Sequence, residues 1–328
     1  VERVEGAGTV QRTGHVVSVS LGSSTRDKRV EVDLLGQRFI IERVGTNGDY
    51  AAFCRRIREL DGQVDAIGIG GINLALVAGR RRYYIRDAVR AVAGLRTPVV
   101  DGGGVKNSWE RYIVLEVLPR DLGISLRGRR VLLTSSVDRF SMAEALVEAG
   151  ADVVFGDFMF GLGLPIGLRG LTTVKVLAAL LLPLLTRLPF TWLYPTGERQ
   201  ERITPRFGRA YRWAEIVAGD FHYIRRFMPA DMSGKIILTN TITAADVEDL
   251  RRRRVATLIT TTPEMDGRSF ATNVLEAVIV ALSGRRPEDL APQDYLAWMR
   301  RAGFVPRVEL LEPVAARSAP AQDAAPMP

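Results

Sequence analysis

The stretch Arg127–Asp157, RGRRVLLTSSVDRFSMAEALVEAGADVVFGD, decides the fold. Its apolar run Val131–Leu133 is short and ends in hydroxyl side chains. A helical spacing of apolar residues follows from Phe140, and Gly150 stops it. A second apolar run, Val153–Phe155, ends at Asp157. Strand, loop, helix, turn and strand within about 30 residues make one βαβ unit, whose strands lie parallel. Two further apolar runs end alike, IILTNT at Ile236–Thr241 and TLITTT at Thr257–Thr262. Between them Thr243 caps a helix that ends in Arg251–Arg254. Trp213–Asp220 reads as another strand and Ser269–Gly284 as a closing helix. Short apolar strands alternating with helices predict an α/β fold with a Rossmann-like, doubly wound parallel sheet over residues 127–312. Residues 158–207, rich in Leu, Pro and Gly, read as an insertion in it.

Outward from this unit, residues 15–126 read as a smaller mixed α/β domain. Val16–Ser20 alternates like a strand, and Arg29–Val44 reads as two strands joined at Gly36. A helix capped by Asn47 or Asp49 follows and stops at Gly62. Val64–Gly71 reads as a buried strand, Asp87–Ala93 as a helix, and Thr97–Gly104 as a strand with a glycine loop. Ser108 is placed to cap a helix through Leu118. Residues 1–14 read as a flexible leader, and the Ala/Pro-rich residues 313–328 as a disordered tail.

The 328 residues carry a formal charge of +8, and all but four of the 45 basic residues are arginine. That balance favours anionic small molecules in general. No helix-turn-helix or RNA-binding motif accompanies Gly79–Arg86 or Arg251–Arg254, so a nucleic-acid partner is not expected. Gly79–Arg86 reads as a solvated hairpin. One cysteine, Cys54, excludes an intrachain disulfide and fits a cytoplasmic protein; its helical stripe predicts burial. With it and two histidines there is no zinc pattern. Val176–Leu185 is too short for a bilayer span of ~20 residues, and reads as a helix packed on the body or in a homodimer.

Ligands of open α/β sheets bind outside the carboxyl ends of the strands. Thr134, Ser135, Ser136, Thr239, Asn240, Thr260 and Thr261 all fall there, with Asp138 and Arg139 in the first loop. Each cluster also suits an ordinary helix N-cap. Asp157 lies 23 residues beyond Thr134, a spacing that suits a carboxylate on an adenine ribose and hence NAD, with NADP as its variant. The first loop, TSSVDRFS, lacks the G-x-G-x-x-G glycines. On the substrate side, VVDGGGVKN places Asp101, Gly102, Gly103, Gly104, Lys106 and Asn107 at a strand end. Glycines admit a ligand close to the backbone. Lys106 is the candidate general base and Asp101 its orienting carboxylate, against the alternative of a plain glycine-rich connection. His222, after a strand end, is a further substrate-side candidate.

The chain resembles bacterial proteins labelled quinate 5-dehydrogenase, distantly similar to the shikimate and quinate dehydrogenases. The likeness runs from about His15 to Gly284 and rests on SVSLGSSTRDKRVEV (Ser18–Val32), TPVVDGGGVKN (Thr97–Asn107), LPFTWLYPTGERQ (Leu188–Gln200) and TLITTTPEMDGRSFATN (Thr257–Asn273). It implies an NAD(P)-dependent oxidoreductase acting on a hydroxyl of a small polar or anionic substrate, with a lysine and an aspartate handling the proton. That family's Asn-Val-Thr-x-Pro-x-Lys motif and Gly-Ala-Gly-Gly loop are missing here. Two other readings stay open: a non-catalytic Rossmann-like ligand-binding or regulatory protein, and an actin-like-fold kinase whose phosphate loop would begin at Val16–Val32.

Overall fold

A computed structural model describes residues 13–189, 203–265, 268–269 and 271–311. Residues 1–12 of the expected leader, the expected tail 313–328 and residues 190–202 of the insertion lie outside them.

The chain folds into two α/β units, each built on a mainly parallel sheet. The first sheet has five strands in the order β2-β3-β1-β4-β7: β2 (Lys28–Leu34), β3 (Gln37–Gly45), β1 (Gly14–Ser20), β4 (Ala66–Gly70) and β7 (Val99–Val100). Only the β2–β3 hairpin, turned at Leu35–Gly36, is antiparallel. The second sheet has seven strands in the order β10-β9-β8-β11-β12-β13-β16. Its parallel centre is β9 (Asp152–Phe155), β8 (Arg130–Leu133), β11 (Ile216–Ala218), β12 (Ile236–Thr239) and β13 (Thr257–Thr260). Antiparallel edges β10 (Leu168–Arg169) and β16 (Arg307–Leu310) close it. Strands β5 (Ala75–Ala78) and β6 (Arg81–Tyr84) pair as a hairpin, so that the expected hairpin Gly79–Arg86 supplies only its turn and second strand, and Arg86 already begins helix α2 (Arg86–Val92). A second small hairpin joins β14 (Glu264–Met265) and β15 (Arg268–Ser269).

Side chains alternate across a strand, so neighbouring residues face different layers. Val17 and Val19 point to an outer core with Phe53 and Ile57 of helix α1 (Tyr50–Glu59), which Asp49 caps. Leu132 and Leu258 point to the outer core of the second sheet. Val16, Val131 and Leu133 face a shared middle core between the two sheets. Cys54, expected buried, is half-buried.

The middle layer is helical. It holds α3 (Gly103–Tyr112), helix Thr272–Ser283 and helix Pro292–Arg301, which pack on one another. Helix Thr272–Ser283 follows the last parallel strand of the second sheet, yet lies on β1 and β4 of the first. The expected boundary at 126/127 therefore does not separate two independent cores: the first sheet takes a cover from the end of the chain.

Glycine makes that contact close. A Cβ on Gly68 would lie 2.9 Å from the Asn273 carbonyl oxygen, and one on Gly104 2.3 Å from the Tyr295 ring. Gly102, at φ +90°, starts α3 against Thr272. The expected glycine loop is thus the first turn of a helix. Ser108 is not its cap but lies inside it, donating to the Gly104 carbonyl. Trp213, expected in a strand, ends helix Gly208–Trp213, and β11 begins only at Ile216.

Candidate functional site

The carboxyl ends of β1 and β4 face those of β8, β11 and β12 across a cleft of about 520 Å³. Its floor joins the two units. Lys106, in α3 and 8% exposed, donates to Asn73 Oδ1 at 3.0 Å and to Asp138 Oδ1 at 2.9 Å. Asn73 Nδ2 donates to the same Asp138 oxygen at 2.7 Å. Lys106 and Asn73 come from the first unit and Asp138 from the β8–α4 loop of the second, α4 being Phe140–Glu148. Burial works most strongly against the Lys106 charge, but the charge and hydrogen bond of Asp138 together with Asp101 hold the ammonium above its usual pKa. Burial likewise works against the Asp138 carboxylate, and Lys106 with Arg139 holds it below the usual range. Both groups are charged at neutral pH, so Lys106 is a hydrogen-bond donor there rather than a ready base.

Asp101, the expected orienting carboxylate, serves the backbone instead. It accepts from Leu74 N at 2.7 Å and Gly103 N at 2.9 Å. The loop expected to face a pyrophosphate is internally occupied. Ser136 N and Val137 N both donate to Asp157 Oδ1, at 2.9 and 3.1 Å, and Ser136 Oγ to Oδ2. Asp157 thus takes the amides that a phosphate would need; burial still lifts its pKa above the usual range. The residues present do not fit a dinucleotide at this loop as it is built.

Arg139 turns away from the cleft. It is 1% exposed and pairs with Glu110, with Asp138 at 3.6 Å and with Asp220 at 3.5 Å. Burial pushes the Glu110 pKa up in spite of Arg139. Asp220 caps helix Phe221–Phe227 through His222 N, and its second oxygen accepts from Asn240 Nδ2 at 2.9 Å. Burial opposes its charge, but His222, Arg139 and these hydrogen bonds bring its pKa to about 2.

Among the expected site residues, the cleft gathers Asp101, Lys106, Ser135, Asp138, Asp157, His222 and Asn240. Gly102, Gly103, Gly104, Asn107, Thr134, Ser136, Arg139, Thr239, Thr260 and Thr261 are not among its lining residues. Gly102 and Gly104 meet the middle helices, and a Cβ on Gly103 would meet Asp101. Asn107 accepts from Ser141, Thr239 donates to the Gly219 carbonyl and Thr260 to the Thr262 carbonyl. Thr261 packs on α3, its carbonyl accepting from Trp109 Nε1 and its hydroxyl 3.4 Å from Glu110. The strand-end hydroxyls are thus mostly structural. Ser18, Ser20, Asn73, Tyr223 and Asn273 line the cleft without having been singled out. Of these, Ser18, Ser20 and Asn273 fall within stretches that carry the resemblance and Asn73 follows the glycines Gly70–Gly71, signals that mark a segment but not a side chain.

At the cleft mouth Arg26 of the first unit donates to His222 Nε2 of the second at 3.0 Å. An arginine only donates, so this nitrogen carries no proton. Desolvation by the surrounding cleft, with Arg26, holds the His222 pKa below its usual value, although the residue itself is exposed.

The opposite wall is apolar. Helix α5 (Leu171–Leu185) lies beside the Ala75–Tyr84 hairpin and turns Val174, Leu177, Leu181 and Leu185 into the cleft. Its far face exposes Val176, Leu180 and Leu184. Among the described residues, no helix is long and apolar enough to cross a membrane, and no cluster of His, Cys, Asp and Glu could hold a metal ion.

A two-sheet α/β protein with a cleft between its units, polar on its floor and apolar on one wall, is the class that fold and site define. The chain belongs to the family described as domain of unknown function DUF8754, whose model matches residues 104–311. The model of a second domain of unknown function, DUF8753, matches residues 15–101. No curated protein matches the chain. Among solved structures it is similar to a solute-binding protein of an ABC transporter from Burkholderia multivorans, at 14% identity over 91% of this chain and 99% of that one, TM-score 0.36. An L-tryptophan dehydrogenase from Nostoc punctiforme is similar at 12% identity over 88% and 80%, TM-score 0.37. At such scores neither likeness bears on function.

Proposed function

We propose that the protein binds a small hydroxylated molecule in the cleft between its two sheets. The observation that carries this reading is the Lys106–Asn73–Asp138 cluster, which joins both units at the cleft floor. It offers one ammonium donor and several carboxylate and amide oxygens, with charges that balance each other. A hydroxyl group both donates and accepts, and so meets such a set without burying a net charge. Ser18, Asn240 and Tyr223 extend the same chemistry around the cleft.

Calorimetric titration of glucose, myo-inositol and quinate tests the reading. Wild-type protein is expected to bind at least one of them, and Lys106→Met to weaken it at least tenfold. Lys106→Met alone leaves Asp138 buried without its cation, a loss of about 3–5 kcal/mol of stability. The double variant Lys106→Met/Asp138→Leu is expected to recover much of that stability but not the binding. Unchanged binding in the double variant would refute the reading.

The oxidoreductase reading draws on the same lysine–aspartate pair, which would hydrogen-bond a hydroxyl placed there; Lys106 would have to give up its proton before it could act as the base. NAD or NADP would supply the hydride acceptor. Asp157 would first have to release the Ser136 and Val137 amides. Titration with NAD and NADP decides this reading, and absence of binding removes it.

A further inference from the structure

The geometry points to an amphiphile as the ligand: a hydroxylated head on the Lys106–Asp138 floor, with a hydrocarbon extension along α5. The inference rests on the reading above and adds the chemical class of the remainder of the ligand. The polar cluster takes up only one side of the cleft. The apolar side is a helix face, in which Val174, Leu177, Leu181 and Leu185 recur every three or four residues. Leu177, Leu181 and Leu185 are only half-buried, and all three line the cavity. Ile41 of β3 and Val30 of β2 line the same cavity from the first sheet.

From Val174 to Leu185 this face runs roughly 16 Å at ~1.5 Å per residue. A sugar or cyclitol alone leaves such a wall against water. An apolar wall gives water few hydrogen-bond partners, so apolar atoms displace it favourably. The wall and the polar floor belong to one continuous cavity, which places head and tail on a single molecule. The solvent-exposed side of α5, with Leu180 at 69% exposed and outside the cavity lining, provides an internal control for adventitious binding of hydrocarbon.

The test titrates methyl, butyl, hexyl and octyl β-glucosides below their micelle concentrations. 1-Anilinonaphthalene-8-sulfonate serves as a probe independent of the head. Affinity is expected to rise up to about fourfold per added methylene, the effect of burying one CH₂. Leu181→Asp is expected to flatten that series and remove the dye signal, whereas Leu180→Lys changes neither. Asp138→Asn weakens every glucoside by a common factor and leaves the dye signal unchanged. Methyl glucoside binding with no gain along the series overturns the inference and leaves the hydroxylated-ligand reading standing. A chain-length gain that Asp138→Asn does not lower overall overturns the reading while the apolar wall stands. If no glucoside binds, a dye signal that survives Leu181→Asp overturns the inference, and one abolished by it and kept in Leu180→Lys supports the apolar wall.

Discussion

Glu276 is a carboxyl in the wrong medium, and its replacement by glutamine has a calculable effect. It sits in the middle helical layer, 4% exposed, and accepts from Gly104 N at 2.9 Å. Burial, with Asp101 nearby, raises its pKa from the usual 4.5 to about 7. A carboxyl whose folded pKa lies above its unfolded one adds its stability in full below the unfolded value. It loses that stability as pH rises through the folded value. The window therefore runs from 4.5 to about 7. At ~1.4 kcal/mol per pH unit, its width is worth about 3 kcal/mol. Glu276→Gln keeps the shape and removes the charge. Urea unfolding at pH 5 and pH 8 is the assay. The variant is expected to resemble wild type near pH 5 and to exceed it by up to about 3 kcal/mol at pH 8. A difference equal at both pH values, or larger at pH 5, would refute the argument that burial dominates at this position.

Two other perturbations follow from the geometry. Gly68→Ala forces a methyl against the Asn273 backbone, so about 1–3 kcal/mol of stability is expected to be lost, read by thermal unfolding; wild-type stability would show that the helix moves freely off β4. Arg26→Ala is expected to raise the His222 pKa in an NMR titration, because the guanidinium opposes protonation while Asp220 and Asp246 favour it and Arg225 opposes it. With a folded pKa below 6.5, His222 contributes stability above that value and loses it as pH falls. An unshifted His222 in the variant would show that Arg26 does not help to hold its pKa down.

The strands of the second sheet were legible in the sequence because short β-branched runs bounded by Gly, Asp and hydroxyls have few other solutions. Val131–Leu133, Val153–Phe155 and Ile236–Thr239 lie within β8, β9 and β12. Lys106 was legible as a rare lysine in an unusual context, but its partner was not. Asp101 is near it in sequence, whereas Asp138 reaches it only because the two units meet. The glycines of Ala66–Gly71 and Gly102–Gly104 do mark a close approach. A sequence says that something comes near a glycine, not whether it is a ligand or a helix, and here Asn273, Thr272 and Tyr295 fill several of those places. The hydroxyl clusters misled for a related reason. Strand ends that turn under a helix need internal hydrogen bonds, and Thr239 and Thr260 supply them.

The helix Thr272–Ser283 has a consequence for synthesis. Strands β1 to β7 leave the ribosome well before Thr272 is translated, so Val16, Ala66 and Val100 wait with one face of their sheet uncovered. Exposed apolar faces of this kind invite aggregation and chaperone capture. A truncated chain covering only residues 15–101, the span of the first family match, would retain that naked face permanently. Supplying the helix-bearing remainder as a separate polypeptide would then rescue its solubility, making the two halves a natural pair for fragment complementation.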